Sequence, residues 1–135
     1  MCLAIDEKRD KNFRVQNKNK KWVNVYKVYY RSEYKELFPI FYSKNTGVKA
    51  GWVKSNRENK ELSSDELHLN RVDKGIHVYL SKKAAYYWYS RIDKEVIVKC
   101  KALVKDLLRC GVLNEAAFMK IWLPKEELKK AVSKK

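Results

Sequence analysis

Residues 22–30 read WVNVYKVYY, and this run constrains the fold more tightly than any other part of the chain. β-Branched and aromatic side chains dominate it, which is the composition of a pleated, mostly buried strand. Alternation puts Trp22, Asn24, Tyr26, Val28 and Tyr30 on one face and Val23, Val25, Lys27 and Tyr29 on the other. A second run, EVIVKCKA at 95–102, alternates as cleanly. Val96, Val98 and Cys100 point one way and Lys99 and Lys101 the other, with Ile97 the exception.

Shorter strands are predicted around these two. One lies at 38–42, where Pro39 marks an edge or a strand start. A turn at Asn45-Thr46-Gly47 leads into an extended piece at 48–53. Gly75 opens a strand at 76–80, and 116–123 reads as the last strand. Helices are expected from Lys82 to about Arg91, with Ser81 as N-cap, and over 124–133, where Pro124 suits a first turn. Glu126 and Glu127 then lie near the positive end of that helix dipole and Lys129 and Lys130 near the negative end. Residues 103–109 read as a short turn of helix ended by Gly111. The polar stretch 54–74 is expected to be a long loop with one helical turn after Ser63 or Ser64.

The implied fold is α+β: a mostly antiparallel sheet of about five or six strands with two helices packed on it. The implied organisation is a polar N-terminal arm or loop over 1–21 and a single α+β domain over 22–135. A chain of 135 residues is the size of one domain and buries roughly two thirds of its unfolded surface without staples.

Lys and Arg outnumber Asp and Glu by 31 to 16, a formal charge of +15. Self-repulsion at that charge opposes compaction, so an anionic partner relieves a real cost. A Lys- and Asn-rich composition also follows from an AT-rich genome, so charge alone does not choose between these origins. The cysteines are Cys2, Cys100 and Cys110. Their odd number and the lack of a C-x-x-C pair or nearby His argue against a disulfide framework and a zinc site. They suit a reducing cytoplasm. No segment has the length or polarity of a signal peptide or a membrane span. The expected protein is cytoplasmic, with no membrane association, metal or cofactor.

Four consecutive aromatics, Tyr86, Tyr87, Trp88 and Tyr89, sweep roughly 300° of a helix at about 100° per residue. They cannot all face one core. At least one lies at the surface, beside Lys82, Lys83 and Arg91, where it would stack on a base or a cation, or else under another element such as the 54–74 loop. Lys99 and Lys101 form a ribbon of charge suited to a phosphate backbone, and Lys54 extends the basic surface. The candidate contacts are therefore Lys54, Lys82, Lys83, Tyr87, Arg91, Lys99 and Lys101, with residues 82–101 as the focus. No RNA-recognition, zinc-finger or helix-turn-helix signature accompanies them. His77 on a strand and Glu115 before the last strand are the weak catalytic candidates. No catalytic constellation can be built around them from spacing.

Two family resemblances follow from these residues. His77-Val78-Tyr79-Leu80-Ser81 with Ala84 and Ala85, a strand, then Asp106-Leu107-Leu108 and Gly111, resembles RNA 2′-phosphotransferases of the ADP-ribosyltransferase-like folds. That resemblance implies an enzyme acting on RNA or protein, with Glu115 near the family's catalytic Glu. The last strand, AFMKIWLP, carries Lys120 and no carboxylate, a departure from the family. The series Tyr26-Lys27-Val28, Leu37-Phe38-Pro39-Ile40-Phe41, Gly51-Trp52, Gly75-Ile76-His77 and Ala117-Phe118-Met119-Lys120-Ile121 is similar to small uncharacterised phage and bacterial proteins. It implies origin on a mobile element, a setting that includes inhibitors of host defence such as anti-CRISPR proteins. The function expected is a basic, non-catalytic protein that binds nucleic acid, RNA or DNA, or a nucleoprotein. The alternatives are an inhibitor binding an acidic protein face and an ADP-ribosyltransferase-like enzyme acting on RNA or protein.

Overall fold

A computed structural model describes residues 3–32, 36–39, 48–55, 61–72, 74–88 and 95–133. The two alternating runs form its centre. β2 (Trp22–Arg31) and β7 (Glu95–Leu103) pair antiparallel from Trp22↔Leu103 to Tyr30↔Glu95. β3 (Leu37–Pro39) and β6 (Ile76–Tyr79) pair with β2 on its other side. β4 (Gly51–Lys54), β8 (Leu107–Cys110), β9 (Glu115–Phe118) and β10 (Lys120–Leu123) complete an eight-stranded antiparallel sheet. Its order is β4-β10-β7-β2-β6-β9-β8, with β3 attached to β2. A small second sheet joins β1 (Leu3–Ala4) to β5 (Arg71–Val72). Mixed helices and an antiparallel sheet agree with the sequence reading, but the strands exceed the five or six expected.

The expected strand over 116–123 is two strands meeting at Met119. Ala116 and Phe118 point into the core on one side of the bend, and Ile121 and Leu123 on the other. That parity shift requires an extra residue, as at a bulge. Met119 accordingly leaves the ladder: its N–H donates to the Asp106 carbonyl at 2.8 Å, and its carbonyl accepts from Ser55 N–H at 2.8 Å. β9 then pairs with β6, and β10 with β7. The circuit β10-β7-β2-β6-β9 thus returns to its own bent strand, a small closed barrel. Val25, Tyr29, Val78, Val98, Cys100, Phe118, Ile121 and Leu123 fill the inside, all essentially inaccessible.

Among the described residues there are four α-helices: α1 (Glu7–Gln16), α2 (Ser64–His68), α3 (Lys82–Trp88) and α4 (Lys125–Ser133). The last three agree with expectation. Ser63 closes a capping box with Glu66, Ser81 Oγ accepts from Ala84 N–H at 3.1 Å, and Leu128, Ala131 and Val132 pack on the barrel core. Residues 89–91 of the expected helix, the turn at 45–47 and residues 40–42 of the expected strand lie outside the described residues.

α1 and β1 correct the reading of 1–21 as an arm or loop. Asp6 caps the helix by accepting from Arg9 N–H at 3.0 Å. Phe13 is its one core contact, so no apolar stripe betrays it. Polar anchors hold it instead. The buried Asp10 carboxylate accepts from Cys110 N–H at 2.8 Å and from Arg14 Nε at 2.8 Å, and Arg14 donates on to the Leu108 carbonyl at 2.9 Å. These carboxylate and guanidinium groups satisfy backbone groups of β8, the terminal strand of the sheet.

The turn of helix expected over 103–109 is also corrected. Only Val104–Asp106 is helical, a 3₁₀ turn, and β8 follows it. Leu107, Leu108 and Cys110 are buried, and that burial overrides local helix propensity. Gly111 is extended (φ −117°, ψ −177°) rather than a left-handed cap. It is small because the Ala4 carbonyl would lie 2.7 Å from any Cβ placed there. Gly75 needs both freedoms: its φ is +87°, and a Cβ would meet Leu108 Cδ1 at 2.6 Å. No helix among the described residues is long and apolar enough to cross a membrane.

β8 and β9 join through Val112-Leu113-Asn114-Glu115, where Glu115 N–H donates back to the Val112 carbonyl. Leu113 and Asn114 have φ of +61° and +59°, the signature of a type I′ turn. Leucine is strained there by roughly 1 kcal/mol. Leu113→Asn is therefore expected to raise the unfolding free energy by about 1 kcal/mol in urea titration. Asp10→Ala, which leaves the Cys110 N–H buried and unpaired, is expected to lower it by about 2 kcal/mol. An unchanged midpoint in Asp10→Ala would mean that the Asp10–Cys110 hydrogen bond contributes nothing to stability.

Candidate nucleic-acid interface

Strand alternation that turns Val23 and Val25 inward turns Trp22 and Asn24 outward. On β7 the outward residues are Lys99 and Lys101, on β10 Lys120 and Trp122, and on β4 Trp52 and Lys54. Register brings them together. Trp122 and Asn24 lie opposite Lys101 on its two sides, Trp52 lies opposite Trp122, and Lys54 opposite Lys120. Three tryptophans and four lysines from four strands thus share one outer face.

The rings touch. Trp22 and Trp52 stack with centroids 5.9 Å apart and planes 16° apart, and Trp122 meets Trp52 edge-on at 5.3 Å. Lys120 Nζ lies 4.3 Å from the Trp52 centroid, a cation–π contact. Trp22, Trp52 and Trp122 nevertheless keep 40%, 38% and 38% of their surface exposed, against 0% for Tyr29 inside the barrel. They line, with Val23, Asn24 and Lys101, a groove of about 480 Å³. Trp52 is engaged by Trp22 and Lys120, but one face of Trp22 is turned away from Trp52. An open ring beside ammonium groups suits a flat, anionic ligand.

A second groove, of about 520 Å³, continues along β7. Tyr26 and Lys99, cross-strand partners, form its floor with Ile97. Lys82 and the exposed Tyr86 reach it from α3, and Glu127 and Lys130 from α4.

The structure thus unites Lys54 and Lys101 on the tryptophan face and Lys82 and Lys99 in the second groove. Lys83 is exposed on α3. The Tyr87 side chain and Arg91 lie outside the described residues. The local focus is therefore the outer face of the barrel, with Trp22, Trp52, Trp122 and Lys120 added to the residues expected. A signal for them exists: each tryptophan sits two residues from a polar side chain, Asn24, Lys54 or Lys120. That places each on the wet face of its strand, though only topology shows that the faces coincide.

His77 and Glu115 occupy the same side of neighbouring strands. Glu115 pairs with Tyr79 and His77 with Ala117, so the two are diagonal neighbours. His77 is half-buried, with Nε2 3.3 Å from the Lys74 carbonyl. Burial raises the Glu115 carboxyl above its ordinary range, and burial followed by the Glu115 charge pushes the Tyr79 phenol up to about 12. Among the described residues, no group of three or more His, Cys, Asp or Glu side chains could hold a metal ion. Burial also pushes the Cys100 and Cys110 thiols up to about 12. Compared with protein families, with characterised proteins and with solved structures, the chain matches none.

A carboxyl that titrates higher in the folded than in the unfolded chain contributes stability below its unfolded pKa and loses it as pH rises through the folded value. Ionised Glu115 therefore weakens the fold at neutral pH. Glu115→Gln is expected to raise the melting temperature at about pH 7 and to leave it unchanged near pH 3, below both values. Equal shifts at both pH values would rule out a charge effect.

Proposed function

We propose that this protein binds nucleic acid without catalysing a reaction on it, through the outer barrel face of Trp22, Trp52, Trp122, Lys101, Lys120 and Lys54. One observation carries the reading: three half-exposed tryptophans from three separate strands converge on a row of lysines. Leaving about two fifths of each ring in water forgoes part of the roughly 1.5–3 kcal/mol that full burial of a large apolar side chain brings. A ligand that covers them recovers that energy. Bases supply flat rings and phosphates supply the opposite charge. The chain's +15 charge draws such a ligand from a distance. The buried free thiols Cys100 and Cys110 support a reducing, cytoplasmic setting. A nucleoprotein displaying nucleic acid offers the same chemistry. A role against host defence belongs to the same proposal and rests on the resemblance of the motif order to that of small phage proteins.

Intrinsic tryptophan fluorescence and filter retention test the reading together. RNA or DNA oligonucleotides added at low salt are expected to quench the fluorescence. Trp22→Ala is expected to weaken binding by about tenfold, in line with roughly 1–3 kcal/mol per stacked base. Lys101→Ala is expected to lower the slope of log affinity against log salt by about 0.7–0.9. Absence of retention at low salt would sink the proposal. A stable complex with an acidic protein that survives nuclease would move it to the protein-binding alternative.

A further inference from the structure

We infer that the ligand is a single strand rather than a duplex, laid along β7 from the tryptophan groove to the groove beside Tyr86. This rests on the nucleic-acid reading above and names the form of ligand that it takes. A ring accepts a base only when that base has left its own stack, and duplex bases keep theirs. A duplex would offer this face its phosphates alone and leave the tryptophans uncovered. The lysines carry the strand between the grooves. Lys99 and Lys101 stand two residues apart on one strand face, about 7 Å, a spacing that suits successive phosphates of an extended strand.

The second groove then takes a base. Tyr26 and Lys99 lie opposite one another on its floor, and Tyr86, 51% exposed, stands at its side. Lys82 and Lys130 line the groove together with Glu95 and Glu127, and the Glu127 carboxylate lies 3.8 Å from the Lys130 ammonium. Ammonium groups suit phosphates, and carboxylates accept from base amino groups. From Lys101 to Glu95 the track runs about 20 Å of strand, so a strand of several nucleotides is needed to occupy both grooves.

Fluorescence anisotropy with labelled oligothymidylates of about three and about ten nucleotides, and with a hairpin duplex, tests this against the site sizes of single-strand binders. The longer strand is expected to bind about tenfold tighter than the duplex. Tyr86→Ala is expected to weaken the longer strand by about fivefold or more and to leave the short one unchanged, whereas Trp22→Ala weakens both. Lys99→Glu gives the same length-dependent pattern if Tyr86→Ala fails to fold by circular dichroism. The inference is overturned if the duplex binds as tightly as the longer strand. It is equally overturned if the Tyr86 and Lys99 variants weaken both lengths alike or neither. Failure of the underlying reading looks different, because then no nucleic acid is retained at all.

Discussion

The bend at Met119 is the constraint on which the rest of the structure depends. A straight strand over 115–123 would keep one parity and pair along one partner. The bent one pairs with β6 through its first half and with β7 through its second. It can do so because the Met119 backbone groups find partners outside the ladder, at Asp106 and Ser55; buried peptide groups left unpaired would forbid the bend. Closure sends one set of alternating side chains into a dry core and the other outward. The tryptophan face is the outward set on β2, β4, β7 and β10.

Net charge overstates what a ligand meets. Lys74 is buried, with its ammonium held by the Glu61 carbonyl. Lys27 points to the core side and donates to the His77 carbonyl at 3.0 Å. Arg14 is engaged with Asp10 and the Leu108 carbonyl. These cations serve the fold, each engaged by acceptors, and the burial of Lys74 is tolerable because its ammonium has one. Lys54, Lys99 and Lys101 stand exposed on the outer face, with Lys120 half-buried over Trp52.

Where local pattern and tertiary structure agree, the sequence was legible. The alternation of 22–30 and 95–102, the capping serines and the stripe of α4 each state their element. α1 was hidden because polar hydrogen bonds to β8, rather than an apolar stripe, hold it. β8 carries no strand signal of its own, because Leu107, Leu108 and Cys110 owe their conformation to partners distant in sequence. Lys54 and Lys101 were recognisable as candidates from charge and face. Their union with Trp22, Trp52 and Trp122 was not, because it depends on strand order, and nothing local in the residues around Trp52 says that β4 lies beside β10.

The side chains of α1 that occupy the β8 edge have a consequence for self-association. A sheet rich in valine and aromatic residues is a template for further strands wherever its last ladder stays open. At β8, the Cys110 N–H and the Leu108 carbonyl are already taken by Asp10 and Arg14, and Ile5 bridges to Gly111. The chain's own N-terminal segment thereby acts as a built-in terminator, so polymer growth by strand addition is blocked at that end of the sheet.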